Sequence, residues 1–134
     1  MIFGIGTDLV DLTRIEATHQ RFGQHFVNRL LMPEERERFD RLATRVRQVR
    51  FLAQRFAAKE AIVKALGTGF AHGVWIRDCG FVQNTWGRPE VIWSPRGARL
   101  ALKLGAGTGF ISLTDEGGLV MAVAILERAL TVAG

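Results

Sequence analysis

The sequence predicts an α+β fold in a single domain spanning residues 1–134. Three observations carry that expectation. Helical patterning fills the first half and strand patterning most of the second, without the regular alternation of a doubly wound sheet. Apolar residues make up 48% of the chain, enough to bury one core at this length. No repeat, low-complexity tract or linker divides the sequence.

Residues 1–12 alternate as a strand does. Thr13 and Glu16 have the spacing of a capping box, so a helix is expected to start there. It places Ile15, His19 and Phe22 on one stripe and Arg14 and Arg21 on another. Gly23 ends it, and a short helical piece carrying Phe26 and Leu30 follows. Pro33, Glu34 and Glu35 open a third helix, with proline at the first position and acids in the first turn, reaching about residue 42. Arg45 and Arg47 fall in or near a break. A long helix over 49–66 is stopped by Gly67, Thr68 and Gly69.

Further along, 74–83 and 89–93 read as strands joined by a turn at 84–88. Ser94 and Pro95 open a helix to about residue 104. Segments 110–114 and 119–126 form a hairpin over 115–118. The second of these is apolar without a break, which predicts a strand buried on both faces.

Composition bounds the function. The net charge of +5 favours acidic partners: nucleic acid, anionic lipid, a phosphate ligand or an acidic protein. No apolar run approaches the roughly 20 residues that span a bilayer, and no signal-peptide pattern is visible, so no membrane role is expected. The single cysteine, Cys79, excludes an internal disulfide and fits a reducing cytoplasm.

Of 18 basic residues, only Lys59, Lys64 and Lys103 are lysine. The arginine excess can be simple coding bias. Two lysines five positions apart in a helical run nevertheless suggest compact ammonium charges, which suit phosphate. At 100° per residue, Leu52, Phe56, Lys59, Ile62, Val63 and Leu66 share a stripe, so Lys59 falls on an apolar face. Glu60 and Lys64 lie at its edge. Helix geometry alone favours an ordinary surface pair of Glu60 with Lys64, with Lys59 reaching out to water. Ala57, Ala61 and Ala65 form a ridge of small residues that another backbone can approach.

On the first strand, Gly4, Gly6, Asp8 and Val10 share a face. The glycines clear room for a ligand or for another backbone. Asp8 either starts a turn or carries a function. If this strand packs on the long helix, Asp8 can meet Glu60, and two carboxylates completed by phosphate oxygens suit Mg²⁺. His19, His25 and His72 lack metal-site spacing. Cys79 reads as core, and Trp75, Trp86 and Trp93 read as core or sheet-face residues. The arginines between 36 and 55 read as a solvated face partly balanced by Glu34, Glu35 and Glu37.

Together these residues resemble the holo-acyl-carrier-protein synthase family, the small bacterial phosphopantetheinyl transferases. The segment Ile5-Gly6-Thr7-Asp8-Leu9-Val10 with Arg14-Ile15-Glu16 is similar to its N-terminal motif. Residues 52–61, followed by Lys64-Ala65-Leu66-Gly67-Thr68-Gly69, are similar to its second motif. The resemblance implies the phosphopantetheinyl transferase fold, with an antiparallel sheet packed on a long helix. It implies transfer of the phosphopantetheine arm of coenzyme A to a serine of apo acyl carrier protein, releasing adenosine 3',5'-bisphosphate, in fatty acid biosynthesis.

By position, the resemblance implies Asp8 and Glu60 as Mg²⁺ ligands and Lys64 as the diphosphate anchor. Lys59 would orient Glu60 or the phosphates. Arg47 and Arg55 would lie near the coenzyme, and Gly67, Thr68 and Gly69 would shape its loop. The general base is left open between Glu60 and a metal-bound water. Homotrimers with sites between subunits are implied, as is an acidic carrier. Arg14, Arg21, Phe22 and Phe26, with Arg29 beside them, form the expected docking surface. One departure is Asp115, which follows Ser112-Leu113-Thr114 where many relatives have histidine. If that histidine contacts the coenzyme's 3'-phosphate, Asp115 cannot replace it. The competing readings are a small basic nucleic-acid-binding module, which no RNA-binding or helix-turn-helix signature supports, and a catalytically silent carrier-binding scaffold.

Overall fold

The computed structural model describes residues 1–130. Its strands are β1 (Ile2–Asp11), β2 (Cys79–Gln83), β3 (Pro89–Trp93), β4 (Ala106–Glu116) and β5 (Leu119–Arg128). They form one antiparallel sheet in the order β1-β5-β4-β3-β2. The helices are α1 (Leu12–Phe22), α2 (Gln24–Leu30), α3 (Pro33–Phe39), α4 (Arg45–Leu66) and α5 (Pro95–Leu104). This is the expected α+β arrangement, with α4 laid across β1 and β5.

Backbone approach positions the later site. A Cβ at Gly4 would lie 1.9 Å from the Ala65 carbonyl oxygen, and one at Gly6 would lie 2.0 Å from that of Ala61. The glycines therefore make room for the backbone of α4 rather than for a ligand. The alanine ridge is the matching surface: Ala57 and Ala61 are fully buried and Ala65 nearly so. At the far end of the sheet, Gly117 (φ 61°) and Gly118 (φ 80°) form the two-residue turn between β4 and β5. Both left-handed positions suit glycine, and such a turn matches strand twist.

Several expectations are corrected. The α1 cap is Asp11, whose Oδ1 accepts from the Thr13 N–H at 2.9 Å and its hydroxyl at 2.7 Å. The capping box expected from Thr13 and Glu16 does not form, because β1 runs directly into the helix. Arg45 and Arg47 lie in the first turn of α4, directly after the break at 40–44, so the long helix starts four residues earlier than expected, with the Thr44 hydroxyl capping the Arg47 N–H at 3.3 Å. The third helix stops at Phe39.

The stretch expected as a strand from residue 74 instead makes a 3₁₀ turn at Ile76–Asp78. There the Asp78 carboxylate draws in the Trp75 N–H at 2.8 Å, the Ser94 hydroxyl at 2.9 Å and Arg96 at 2.5 Å. Trp86 is 93% exposed at the β2–β3 turn, and Trp75 is exposed beneath the Arg96 guanidinium. Only Trp93 packs on the core as expected.

β5 is buried on one face rather than two. Val120, Ala122, Ala124 and Leu126 are sealed beneath the helices, whereas Met121 on the opposite face is 39% exposed. Register aligns that outer face: Ile5 and Phe110 flank Ile125, and Leu9 pairs with Met121. Ile5, Leu9, Phe110 and Met121 thus leave an apolar surface open on the single chain.

Candidate active site

Asp8 lies two residues beyond Gly6 on the strand face that meets α4. The close backbone approach brings it to the helix edge carrying Glu60 and Lys64. Lys64 Nζ donates to Asp8 Oδ1 at 3.2 Å and to the Thr7 carbonyl at 3.0 Å. Its expected surface pairing with Glu60 is therefore replaced by a bond across to β1. Glu60 is half-buried, and its carboxyl is held above the usual carboxylate range. Burial is the main cause and the negative charge of Asp8 the second, with Lys64 and Arg14 opposing them. Asp8 and Glu60 are thus electrostatic neighbours across the strand–helix contact.

A groove of about 410 Å³ opens beside them, lined by Thr7, Asp8, Leu9, Lys64 and Met121. Two hard oxygen donors and an exposed ammonium can bind a divalent cation together with an anionic ligand. Among the described residues no cluster of three or more His, Cys, Asp or Glu could hold a metal alone. A cation here would draw its other ligands from water or substrate, as Mg²⁺ does. Just past Lys64, the N–H groups of Gly67, Thr68 and Gly69 all turn back to the Val63 carbonyl. Gly67 (φ 83°) and Gly69 (φ 59°) are left-handed, and a Cβ at either would meet open space.

Lys59 lies elsewhere. It is fully buried and donates to Glu35 Oε1 and to the Cys79 carbonyl, both at 2.6 Å. It neither reaches water nor faces the groove, so it cannot touch phosphates there. A buried ammonium needs such acceptors. Arg55 is 3% exposed, with its guanidinium 3.7 Å from the ring centre of Phe51 and 3.9 Å from that of Phe81. Burial lowers its pKa to about 10, partly opposed by Glu35. Arg47 is exposed.

Asp115 is clamped by Arg50, whose Nε donates to Oδ2 at 2.9 Å while a terminal nitrogen bonds Oδ1. Hydrogen bonding from Arg50 lowers the Asp115 pKa, so the acid stays ionised with its charge matched. Arg14 stacks toward Phe56 at 5.7 Å, and Arg21 toward Phe22 at 5.0 Å. Phe22 and Phe26, with His25, Arg29 and Ile76, line a groove of about 370 Å³ between α1 and α2. Cys79 is sealed and its thiol is pushed up to about 12 by burial, which suits a core residue and not a nucleophile.

Glu35 is the residue that sequence reasoning missed. The sequence places it among the solvated acids, yet it is fully buried. A lysine on an apolar helix face is a signal that a buried acid exists. Three acids lie in one short helix, however, and only the fold selects Glu35.

The family model described as the 4'-phosphopantetheinyl transferase superfamily matches residues 4–124. The holo-[acyl-carrier-protein] synthase of Vibrio cholerae is 43% identical over 128 residues, covering 96% of this chain and 99% of that protein. The crystal structure of the Neisseria meningitidis enzyme of that name superimposes with a TM-score of 0.88 at 39% identity, covering 96% of this chain and 100% of the other. A Bacillus anthracis holo-(acyl-carrier-protein) synthase, solved in complex with CoA (3',5'-ADP), superimposes with a TM-score of 0.78 at 32% identity, covering 96% and 99%. These matches displace the nucleic-acid-binding alternative. The chain belongs to the 4'-phosphopantetheinyl transferase superfamily, among the holo-[acyl-carrier-protein] synthases.

Proposed function

We propose that this chain transfers the 4'-phosphopantetheine arm of coenzyme A to a serine of apo acyl carrier protein. The observation that carries the reading is the convergence of Asp8, Glu60 and Lys64 at one strand–helix contact. The serine hydroxyl would attack the phosphorus bearing the pantetheine arm, its proton passing to Glu60 or to water. The bond from that phosphorus to the bridging oxygen breaks, and adenosine 3',5'-bisphosphate leaves with the electron pair. The nucleophile comes from the carrier, so the chain needs none of its own. Its task is positioning and charge neutralisation.

Asp8 and Glu60 fit a Mg²⁺ ion: both are hard oxygen donors, and beyond the burial that chiefly raises the Glu60 pKa, the charge of Asp8 raises it further, a repulsion that a cation between them would relieve. Bound there, the ion would neutralise the diphosphate. Lys64 holds the diphosphate oxygens, its ammonium already fixed over the groove by Thr7 and Asp8. The loop at Gly67, Thr68 and Gly69 adjoins it, and the exposed Arg47, without an ion pair among the described residues, offers its charge to the coenzyme. Arg55 presents only a sliver of surface, and Lys59 has no part in ligand contact. Arg50 already balances Asp115, so the 3'-phosphate would rely on other cations.

The acidic carrier docks on the groove lined by Phe22, Phe26 and Arg29, with Arg21 stacked on Phe22 and Arg14 on the same helix α1. The open apolar face of the sheet is covered by further copies of the chain in a homotrimer. Among the described residues no helix is long and apolar enough to cross a membrane. The reduced Cys79 and the coenzyme substrate suit a cytoplasmic enzyme. The test is mass spectrometry of apo carrier incubated with coenzyme A, Mg²⁺ and the chain. A mass increase of one phosphopantetheine arm is expected, and Asp8→Ala or Glu60→Ala should abolish it. Undiminished labelling by either variant overturns the two-ligand site.

A further inference from the structure

Glu35 is fully buried, and donors from three elements converge on it. Its Oε1 accepts from Lys59 Nζ at 2.6 Å and from the Met32 N–H at 3.0 Å. Its Oε2 accepts from the Phe81 N–H at 3.2 Å, with Arg55 Nε at 3.9 Å. Lys59 also donates to the Cys79 carbonyl at 2.6 Å. Gly80 leaves the space for this carboxylate, since a Cβ there would lie 2.5 Å from Oε2. The cluster therefore joins α3, α4 and β2.

Stability alone does not require an ion pair at this place, because apolar residues of similar volume often stabilise as well or better. What the pair adds is direction. The ammonium of Lys59 is held by two acceptors fixed on α3 and β2, so α4 cannot turn about its axis without breaking those bonds. The alanine ridge has no comparable hold, because its contacts with Gly4 and Gly6 are non-directional. Glu60 follows Lys59 directly, and Lys64 lies on the same edge one turn later. At a side-chain radius of about 6 Å, a rotation of roughly 10° displaces a carboxylate by about 1 Å. A misplacement of about 1 Å can slow a reaction about 100-fold.

We propose that Glu35 is a positioning residue: through Lys59 it fixes the rotation of α4 that turns Glu60 and Lys64 toward Asp8. This rests on the transfer reading above. The test compares the wild-type chain with E35Q and with the double variant E35L/K59M, each assayed well below its own melting temperature. In both variants kcat should fall about tenfold or more, while KM for coenzyme A changes less than about threefold. The Mg²⁺ concentration for half-maximal rate should rise about tenfold, as when groups that orient metal ligands are removed. The double variant should recover melting temperature without recovering kcat.

Recovery of kcat together with stability shows that the pair only fills space, and overturns the inference. If the double variant does not fold, E35Q decides alone, and full kcat in folded E35Q also overturns it. An inactive wild-type chain overturns the transfer reading and this inference together. An active wild type with unimpaired variants overturns only the inference.

Discussion

Lys64 bonds to Asp8 across the strand–helix contact, at 3.2 Å, and not to Glu60 one turn back on its own helix. The Thr7 carbonyl shares the same ammonium. Lys64 thus acts as a clasp between β1 and α4 while remaining 52% exposed at the side chain. An exposed clasp contributes little to folding, but its charge faces the groove beside Asp8, where we propose that the diphosphate binds.

Lys64→Met should therefore separate function from stability. Exposed pairs are worth at most about 1 kcal/mol, so its urea midpoint should hardly move. Transfer to carrier protein should fall about 100-fold, the scale set by losing one preorganised charge. A large fall in stability with activity preserved in the folded fraction would reverse that assignment.

Gly6→Ala should do the opposite. Its methyl would lie 2.0 Å from the Ala61 carbonyl oxygen, a backbone atom that cannot swing aside. Overpacking of this kind costs roughly 1–3 kcal/mol. A thermal melt reads the loss directly, and an unchanged Tm would show that β1 and α4 are further apart than described.

Cys79 should be silent in the native chain. Its thiol is sealed and pushed up to about 12 by burial, so almost no thiolate exists at pH 8. Ellman's reagent should react only after denaturant is added. Rapid native labelling would contradict the burial.

His19 should give stability a pH slope. Its pKa is lowered from 6.5, first by burial and then by the charge of Arg45, and its Nδ1 has no hydrogen-bond partner among the described residues. The unfolded chain then binds the proton more readily than the folded one. The contribution is fully present above 6.5 and is lost as pH falls through the lower folded value. Urea midpoints at pH 7.5 and 5.5 should differ less in His19→Phe than in the wild-type chain.

Arg21→Glu should raise KM for the carrier about tenfold and leave KM for coenzyme A unchanged, as expected of a rim charge. Arg14→Glu should also lower kcat, because Arg14 contributes positive charge at Glu60. Equal effects of both substitutions on coenzyme KM would move the docking surface elsewhere.

Much of this was readable from the chain. The Gly4-x-Gly6 strand and the Ala57, Ala61, Ala65 ridge are complementary small surfaces, and together they predict the contact that joins Asp8 to α4. Local caps misled where a neighbouring element took over: Asp11 displaced Thr13, and Asp78 bent an expected strand into a 3₁₀ turn. The fate of Lys59 was hidden for a different reason. Sequence periodicity gives the face on which a lysine sits, but not which distant acid fills the space beside it. The second buried face expected of β5 is absent from the single chain, because an unbroken apolar run does not say whether a second layer covers it.

The sealing of Lys59 also changes what a reagent sees. The chain has only three lysines, and one of them is closed to solvent. Lysine amines open to chemistry are therefore confined to Lys64 and Lys103. An acylating reagent, or an acyl thioester formed in metabolism, meets the groove beside Asp8 at one of very few exposed lysines. Arginine carries nearly all of the remaining positive charge and is inert to such agents, so lysine modification of this enzyme would divide between Lys64 at the groove and Lys103 on α5.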